Sequence, residues 1–171
     1  MARSGFCSTI GRMRRRARGE RTRAVYETNS AEETFALGKQ FGQAAAAGEV
    51  YALIGDLGVG KTVFTQGFAA GLGITEPVNS PTFTILQIYE GGRLPLYHFD
   101  VYRIEDPEEM FEVGFDEYLY GQGVCLVEWA DMVAEELPPK VRTVRIEKEL
   151  KKGMDVRRIT VSEAQETGIQ E

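Results

Sequence analysis

The chain has 171 residues and a mass of 19.1 kDa, which suits one domain of ordinary size and is too little for two. No apolar run approaches the roughly 18 residues that a membrane helix requires, so we expect no membrane-spanning segment and no membrane partner. The two cysteines, Cys7 and Cys125, are far apart and indicate neither a zinc site nor a disulfide framework. Their pattern favours a reducing compartment such as the cytoplasm.

The charge is distributed unevenly along the chain. Residues 1–24 carry eight arginines and one acidic residue, Glu20, a net charge of +7; since the total is −6, the remainder carries −13. Arms of this kind contact nucleic acid or anionic surfaces, or direct import into an organelle. This one lacks apolar periodicity, so we predict a disordered leader over residues 1–23, a folded domain over 24–163 and a flexible tail over 164–171.

The first half of the chain predicts alternating strands and helices. Residues 25–27 are typical of a short strand, and the capping-box pattern of Ser30 and Glu33 begins a helix that ends before Gly48. Residues 50–54 are an uninterrupted apolar run, which indicates a strand covered on both faces. A glycine-rich turn then leads to a helix predicted over residues 61–70.

The second half predicts strands over 83–89, 94–99 and 124–127, and a hairpin about a turn at 151–153. Asp106 and Pro107 begin a helix that ends at Gly114, and a short helix starts near residue 131. Together these elements predict a single small α/β domain. We expect a mixed, mostly parallel sheet flanked by helices, with a C-terminal β-hairpin.

Residues 55–62 match the P-loop pattern Gly-x4-Gly-Lys-Ser/Thr. Glycines let consecutive amide groups turn inward around a phosphate, and the helix that follows adds partial positive charge. In such a loop Lys61 reaches the β- and γ-phosphates, and the Thr62 hydroxyl ligates Mg²⁺. The pattern therefore predicts a nucleotide site formed by Gly55, Asp56, Leu57, Gly58, Val59, Gly60, Lys61 and Thr62.

Two carboxylates end apolar strands and qualify as the acidic partner that a P-loop needs. Glu128 follows residues 124–127, and Asp100 follows residues 96–99. Either one would hold Mg²⁺ or orient water where a parallel strand ends near the phosphates, and a solvated strand end is the alternative for each. The division of roles between them stays open.

Several neighbouring side chains are further candidates. His98, the only histidine, is either a structural residue or a catalyst, and Trp129 is either core packing or a group that excludes water or meets a partner. Residues 80–82, Ser-Pro-Thr, lie where switch loops lie in related nucleotide hydrolases. Their hydroxyls either contact the γ-phosphate or the surroundings of the metal, or form a plain turn.

The combined motifs resemble the TsaE (YjeE) family, the small bacterial P-loop ATPases of tRNA threonylcarbamoyladenosine biosynthesis. The resemblance covers roughly residues 25–162. The matching segments are 55–62, Ser-Pro-Thr-Phe-Thr at 80–84, His-Phe-Asp-Val-Tyr-Arg at 98–103, Asp-Pro-Glu-Glu at 106–109 and Glu-Trp at 128–129. Within these segments we expect switch or partner roles for Ser80, Pro81, Thr82, His98, Tyr102, Arg103 and Trp129.

The resemblance implies an ATPase that acts with TsaD-type and TsaB-type proteins, which transfer a threonylcarbamoyl group to adenosine 37 of tRNA. ATP hydrolysis would reset that complex between turnovers, and tRNA would be contacted only through the complex. By position, Thr62 and Glu128 would ligate Mg²⁺, and Lys61 with the loop backbone would bind phosphate. Asp100 would serve the hydrolytic water, and the segment around Thr28 would lie near the adenine.

Two other functions remain open from the sequence. A small-molecule P-loop kinase needs a mobile lid with several arginines, yet only six arginines occur beyond residue 24: Arg93, Arg103, Arg142, Arg145, Arg157 and Arg158. A nucleotide-gated interaction module, whose hydrolysis is incidental, overlaps with the ATPase because no arginine is clearly placed as a finger. We therefore predict slow turnover alone and faster turnover with partners.

Overall fold

The computed structural model describes residues 23–163, so the predicted leader and tail lie outside the described residues except for Arg23, which opens the first strand. Within this range no helix is both long enough and apolar enough to cross a membrane. The strands are β1 (Arg23–Thr28), β2 (Val50–Ile54), β3 (Leu86–Tyr89), β4 (Leu96–Asp100), β5 (Val124–Glu128), β6 (Arg142–Lys148) and β7 (Arg157–Glu163). The α-helices are α1 (Ala31–Ala44), α2 (Lys61–Gly71), α3 (Glu109–Glu112) and α4 (Phe115–Leu119), and a 3-10 helix spans Ala130–Glu136.

The seven strands form one mixed sheet in the order β1-β7-β6-β2-β5-β4-β3. The four central strands, β6, β2, β5 and β4, are parallel to one another. β3 pairs antiparallel with β4 at one edge, and β6, β7 and β1 pair antiparallel at the other. The α/β class, the mixed sheet and the C-terminal hairpin are confirmed, with the parallel pairing confined to the centre.

The apolar run of β2 is explained by its place between β5 and β6. Tyr51 and Leu53 point into a core shared with α1 and α2 on one face of the sheet. Val50 and Ala52 point into a second core, shared with α3 and α4, on the other face. A strand covered on both sides has no polar face, which is why its sequence does not alternate.

Three elements begin later than predicted and a fourth was not predicted; of these, β4 begins at Leu96 instead of residue 94. The third strand begins at Leu86, because Ile85 adopts a left-handed backbone (φ 67°) and its amide donates to the Pro81 carbonyl oxygen in a turn. The helix predicted to start at Asp106 begins only at Glu109, with Glu108 as its N-cap, and has four residues; Asp106 lies in the preceding turn, where its amide donates to the Glu109 carboxylate. Gly114 ends it and also begins α4, which the sequence did not predict.

Helices α1 and α2 pack with their backbones in direct contact, and glycines make this possible. A Cβ atom built on Gly42 of α1 would lie 2.0 Å from the Phe68 carbonyl oxygen, and one on Gly67 of α2 would lie 2.0 Å from the Phe35 carbonyl oxygen. Gly38 and Gly71 face equally close carbonyl oxygens, at 2.2 Å. Because α2 follows the phosphate loop directly, these contacts fix the position of the loop's helix against α1.

We expect Gly42→Ala to lower the free energy of unfolding by at least about 2 kcal/mol, because the added methyl group has no space against a rigid backbone. The higher helix propensity of alanine, worth about 1 kcal/mol, would act in the opposite direction. Chemical denaturation measures the change. Gln40→Ala, on the exposed side of α1, is the control and should stay within about 0.5 kcal/mol of the parent chain. Equal stability of the two variants would contradict close helix contact.

Candidate nucleotide site

The phosphate loop connects β2 to α2 at the edge of the sheet where the parallel strands end. Gly60 has φ 107°, a left-handed conformation that glycine adopts without strain, and it directly precedes the first residue of α2. Gly55 lies so close to β6 that an added Cβ would come within 2.4 Å of the Ile146 carbonyl oxygen. The glycines at these two positions are therefore required by the backbone path of the loop.

The loop presents unpaired amide groups at the start of a helix. No residue within 23–163 accepts a hydrogen bond from the amides of Gly60, Lys61 or Thr62. These donors coincide with the positive end of the dipole of α2, which has 11 residues. An anion is the ligand that satisfies such donors, so the loop fits the phosphate that its sequence predicts.

Lys61 is almost fully buried, with a relative exposure of 5%. Its Nζ donates to the Gly55 carbonyl oxygen at 2.7 Å and to the Asp56 carbonyl oxygen at 2.8 Å, and lies 3.8 Å from the ring centroid of Trp129. Burial lowers the pKa of the lysine, and the negative charges of Glu128 and Asp100 oppose part of that change. Lys61 is therefore held at the loop among the predicted acids.

Glu128 ends β5 as part of a buried hydrogen-bonded chain. Its Oε1 lies 2.9 Å from His98 Nε2 and accepts a hydrogen bond of 3.2 Å from the Thr65 hydroxyl. The same Oγ1 lies 2.9 Å from the Lys61 carbonyl oxygen, so its single hydrogen is shared between the helix and the carboxylate. His98 is fully buried, and its Nδ1 has no hydrogen-bond partner among the described residues. His98 therefore contacts Glu128, the predicted metal ligand.

Asp100 ends β4 directly beside Glu128, its register partner on β5. Its Oδ2 accepts hydrogen bonds from the hydroxyl groups of Ser80 and Thr82, and its Oδ1 accepts one from the Tyr102 amide at 3.0 Å. The predicted switch segment thus contacts the second acid through two hydroxyls. Pro81 between them is buried, and its carbonyl oxygen closes the turn by accepting the amides of Thr84 and Ile85.

The remaining predicted side chains lie at the rim of the site. Trp129 adopts a left-handed backbone (φ 61°), and its ring lies 4.7 Å from the half-exposed ring of Tyr102. The Arg103 guanidinium lies 4.2 Å from the centroid of Phe83, whose side chain is 82% exposed. Tyr102 and Arg103 therefore face the surface, whereas Trp129 links that surface to Lys61.

Thr28 lies at the end of β1, and its hydroxyl forms a buried hydrogen bond of 2.7 Å with the Thr34 hydroxyl. Thr34 in turn lies beside the loop, since a Cβ on Gly60 would be 3.9 Å from its methyl group. The segment therefore borders the P-loop, and its predicted proximity to an adenine stays a prediction.

The oxygen atoms at the site fit Mg²⁺. The Thr62 hydroxyl and Oε2 of Glu128 have no hydrogen-bond partner among residues 23–163. Magnesium prefers hard oxygen ligands and is usually held by one or two protein groups together with phosphate oxygens and water. No group of three or more His, Cys, Asp and Glu side chains in the described chain is arranged to hold a metal by itself. A site of this kind therefore requires the nucleotide to complete the coordination.

Two residues at the site were not singled out by the sequence. Thr65 lies one helical turn after Lys61, so its position on the side of α2 that faces the site follows from helix geometry alone. Arg157 reaches the loop from β7, nearly a hundred residues away, and donates 2.8 Å to the Val59 carbonyl oxygen. No local sequence pattern indicates this contact.

Comparison with known proteins identifies the family. The model of the threonylcarbamoyl adenosine biosynthesis protein TsaE matches residues 28–159. The chain belongs to the TsaE family. It is 53% identical over 135 residues to the tRNA threonylcarbamoyladenosine biosynthesis protein TsaE of Bacillus subtilis, covering 79% of this chain and 82% of that protein. It is 46% identical over 119 residues to the TsaE of Treponema pallidum, covering 70% and 87%.

A solved structure supports the same assignment. The crystal structure of Bacillus subtilis YdiB superposes with a TM-score of 0.74 at 44% sequence identity, covering 86% of this chain and 90% of that one. The family expected from the motifs and the α/β fold expected from the periodicity are both confirmed.

We expect Thr65→Val to lower the free energy of unfolding by about 1–3 kcal/mol in the absence of nucleotide, because the buried Glu128 carboxylate loses a hydrogen-bond donor. Thr62→Val is the matched control, since the Thr62 hydroxyl bonds to no described residue. That variant should stay within about 0.5 kcal/mol of the parent chain. Urea denaturation measures both, and a Thr62 variant less stable than the Thr65 variant would contradict the bridging role.

Proposed function

We propose that the chain is a Mg²⁺-dependent ATPase of tRNA threonylcarbamoyladenosine (t6A37) biosynthesis in the cytoplasm. It acts with TsaD-type and TsaB-type partners, resets their complex between turnovers and meets tRNA only through that complex. The names of the relatives support the pathway. The single observation that carries the ATPase proposal is the convergence of Lys61, Glu128 and Asp100 at the loop, where the amides of α2 are unpaired.

Each residue of the site has a role in this proposal. Lys61 and the loop amides bind the phosphates, and Thr62 with Glu128 holds Mg²⁺, which neutralises charge on the phosphate oxygens. Asp100 orients the hydrolytic water, since its carboxylate is fixed by the hydroxyls of Ser80 and Thr82. His98 and Thr65 keep the Glu128 carboxylate in place.

The arginines support slow turnover by the protein alone. Arg93 donates to carbonyl oxygens at the end of α1, Arg142 pairs with Glu49 and Glu163, and Arg103 lies over Phe83. Within the described residues no arginine forms a hydrogen bond or ion pair with the two predicted acids. Because a placed arginine contributes about 10³–10⁵-fold in phosphoryl transfer, a partner that supplies one would accelerate hydrolysis strongly.

The small-molecule kinase alternative is not favoured by any feature of the site. A kinase lid needs arginines that are free to move onto the phosphates, yet Arg93, Arg142 and Arg157 are each bonded to other parts of the fold. Incubation with ATP and representative sugars, nucleosides and carboxylic acids tests this alternative directly, because phosphorylation of any of them at a rate above ATP hydrolysis would replace the ATPase proposal.

We expect ATP hydrolysis to be slow for the purified chain and at least about tenfold faster with a TsaB–TsaD pair, because no arginine among the described residues bonds to either predicted acid. Phosphate release in a steady-state assay measures both rates. Lys61→Ala, assayed in parallel, should abolish activity under both conditions. Fast and equal rates with and without the pair would contradict the proposed dependence on partners.

We expect Glu128→Gln to weaken Mg²⁺-dependent ATP binding at least about tenfold, because the amide keeps the shape of the side chain but removes the negative charge that holds the cation. Calorimetric titration of ATP with and without Mg²⁺ measures the effect, and the difference between the two conditions should disappear in the variant. Glu135→Gln, an exposed acid on the 3-10 helix, is the control and should bind like the parent chain. Full Mg²⁺ dependence in Glu128→Gln would show that the metal assignment is wrong.

A further inference from the structure

Arg157, the first residue of β7, connects the C-terminal hairpin to the phosphate loop. Its Nε donates to the Val59 carbonyl oxygen at 2.8 Å. Its Nη1 donates to the carbonyl oxygens of Met154 and Val156, at 2.8 and 3.1 Å, so the guanidinium is held on the hairpin while it reaches the loop. The next residue, Arg158, is exposed and has no comparable contact among the described residues.

The loop also packs against β6, the other strand of the hairpin. The Val59 side chain is buried, at 3% exposure, in the core that includes Val144 and Ile146 of β6. Gly55 lies against the Ile146 carbonyl oxygen, with no space for a side chain. The side chain of Val59 is therefore fixed by packing, but packing of a side chain does not fix the orientation of the peptide group that follows it.

The orientation of that peptide group decides what the loop offers to a phosphate. In a trans peptide the carbonyl oxygen of one residue and the amide hydrogen of the next point in opposite directions. When the Val59 oxygen is turned toward Arg157, the Gly60 amide is turned away from β7, and it meets no acceptor among the described residues. The two ends of one peptide thus face the hairpin and the phosphate position respectively.

Gly60 makes this arrangement sensitive to Arg157. A peptide group reverses its direction through the ψ of the residue before it and the φ of the residue after it, and glycine opposes such a reversal least of all residues. A reversed peptide would direct the Val59 oxygen, in place of an amide hydrogen, at the phosphate. That oxygen would repel the anion instead of binding it.

We propose that Arg157 is a positioning residue that fixes the peptide between Val59 and Gly60, so that the Gly60 amide donates to the bound phosphate. The inference rests on the proposed function, because it assumes that the loop binds a nucleotide. It adds to that function a residue outside the P-loop, on a strand that contributes nothing else to the site.

The test compares three variants of the full chain with the parent. Arg157→Met keeps an apolar stem and removes every donor, and Arg157→Lys keeps a single donor for the Val59 oxygen while losing the fork that bonds the hairpin carbonyls. Arg158→Met is the matched control at the exposed neighbouring position. Calorimetric titration with Mg·ATP gives the dissociation constant, steady-state hydrolysis with the TsaB–TsaD pair gives KM and kcat, and thermal melting without nucleotide reports stability.

We expect Arg157→Met to raise the dissociation constant and KM about tenfold, as follows from losing a hydrogen bond to a charged group. The value of kcat should stay within about threefold, because the amide contacts the phosphate both before and during the reaction. Arg157→Lys and Arg158→Met should bind within about threefold of the parent. A parent chain that does not bind Mg·ATP refutes the proposed function itself.

Two outcomes would overturn the inference while leaving the proposed function intact. One is unchanged Mg·ATP affinity in Arg157→Met when the parent binds. The other is a loss of affinity in Arg157→Lys as large as in Arg157→Met, which would assign the effect to the lost bonds within the hairpin. Should Arg157→Met fail to fold, Arg157→Ala takes its place: a loss of affinity of about tenfold supports the inference, and binding within about threefold of the parent overturns it.

Discussion

The ammonium group of Lys61 sets the conditions for the rest of the site, because a buried charge must be stabilised by its surroundings. Two carbonyl oxygens of the loop and the face of Trp129 replace its hydration, and Glu128 and Asp100 supply opposite charge nearby. These groups come from three places at the same edge of the sheet: the loop after β2, the end of β4 and the end of β5. The parallel order of β2, β5 and β4 is what brings those places together.

The two acids differ in what holds them. Glu128 is fixed from within the core, by a histidine on the adjacent strand and a hydroxyl on α2, so it moves only if the sheet or the helix moves. Asp100 is fixed by hydroxyls of the segment that follows α2, and that segment ends at Ile85, a β-branched residue in a left-handed conformation. Such a backbone is costly for isoleucine and is typical of segments under constraint near functional sites.

The elements with strong local signals can be predicted from the sequence, whereas those decided by contacts between distant residues cannot. The apolar run of β2 and the glycine pattern before α2 are local, so both were placed correctly. Phe83 and Thr84 have strand-forming side chains, yet they lie in a turn that the hydroxyls of Ser80 and Thr82 hold against Asp100 on β4, and not in β3. Similarly, the P-loop pattern predicts Lys61 and Thr62 but does not indicate Arg157. The partner of Arg157 is the backbone oxygen of residue 59, and every residue type would supply that oxygen.

The supports of the two carboxylates agree with the separate roles that we propose for them and that the sequence left open. A metal ligand must keep its position while the phosphate changes, and Glu128 suits that requirement because its supports, His98 and Thr65, are fully buried. An acid that orients water must respond when the γ-phosphate arrives, and the supports of Asp100 belong to a surface loop. That loop also carries Phe83, which contacts Arg103 at the exposed rim. A displacement of Ser80 and Thr82 would therefore move the Asp100 carboxylate and the exposed Phe83 side chain together. Glu128, which is held by other residues, would keep its position.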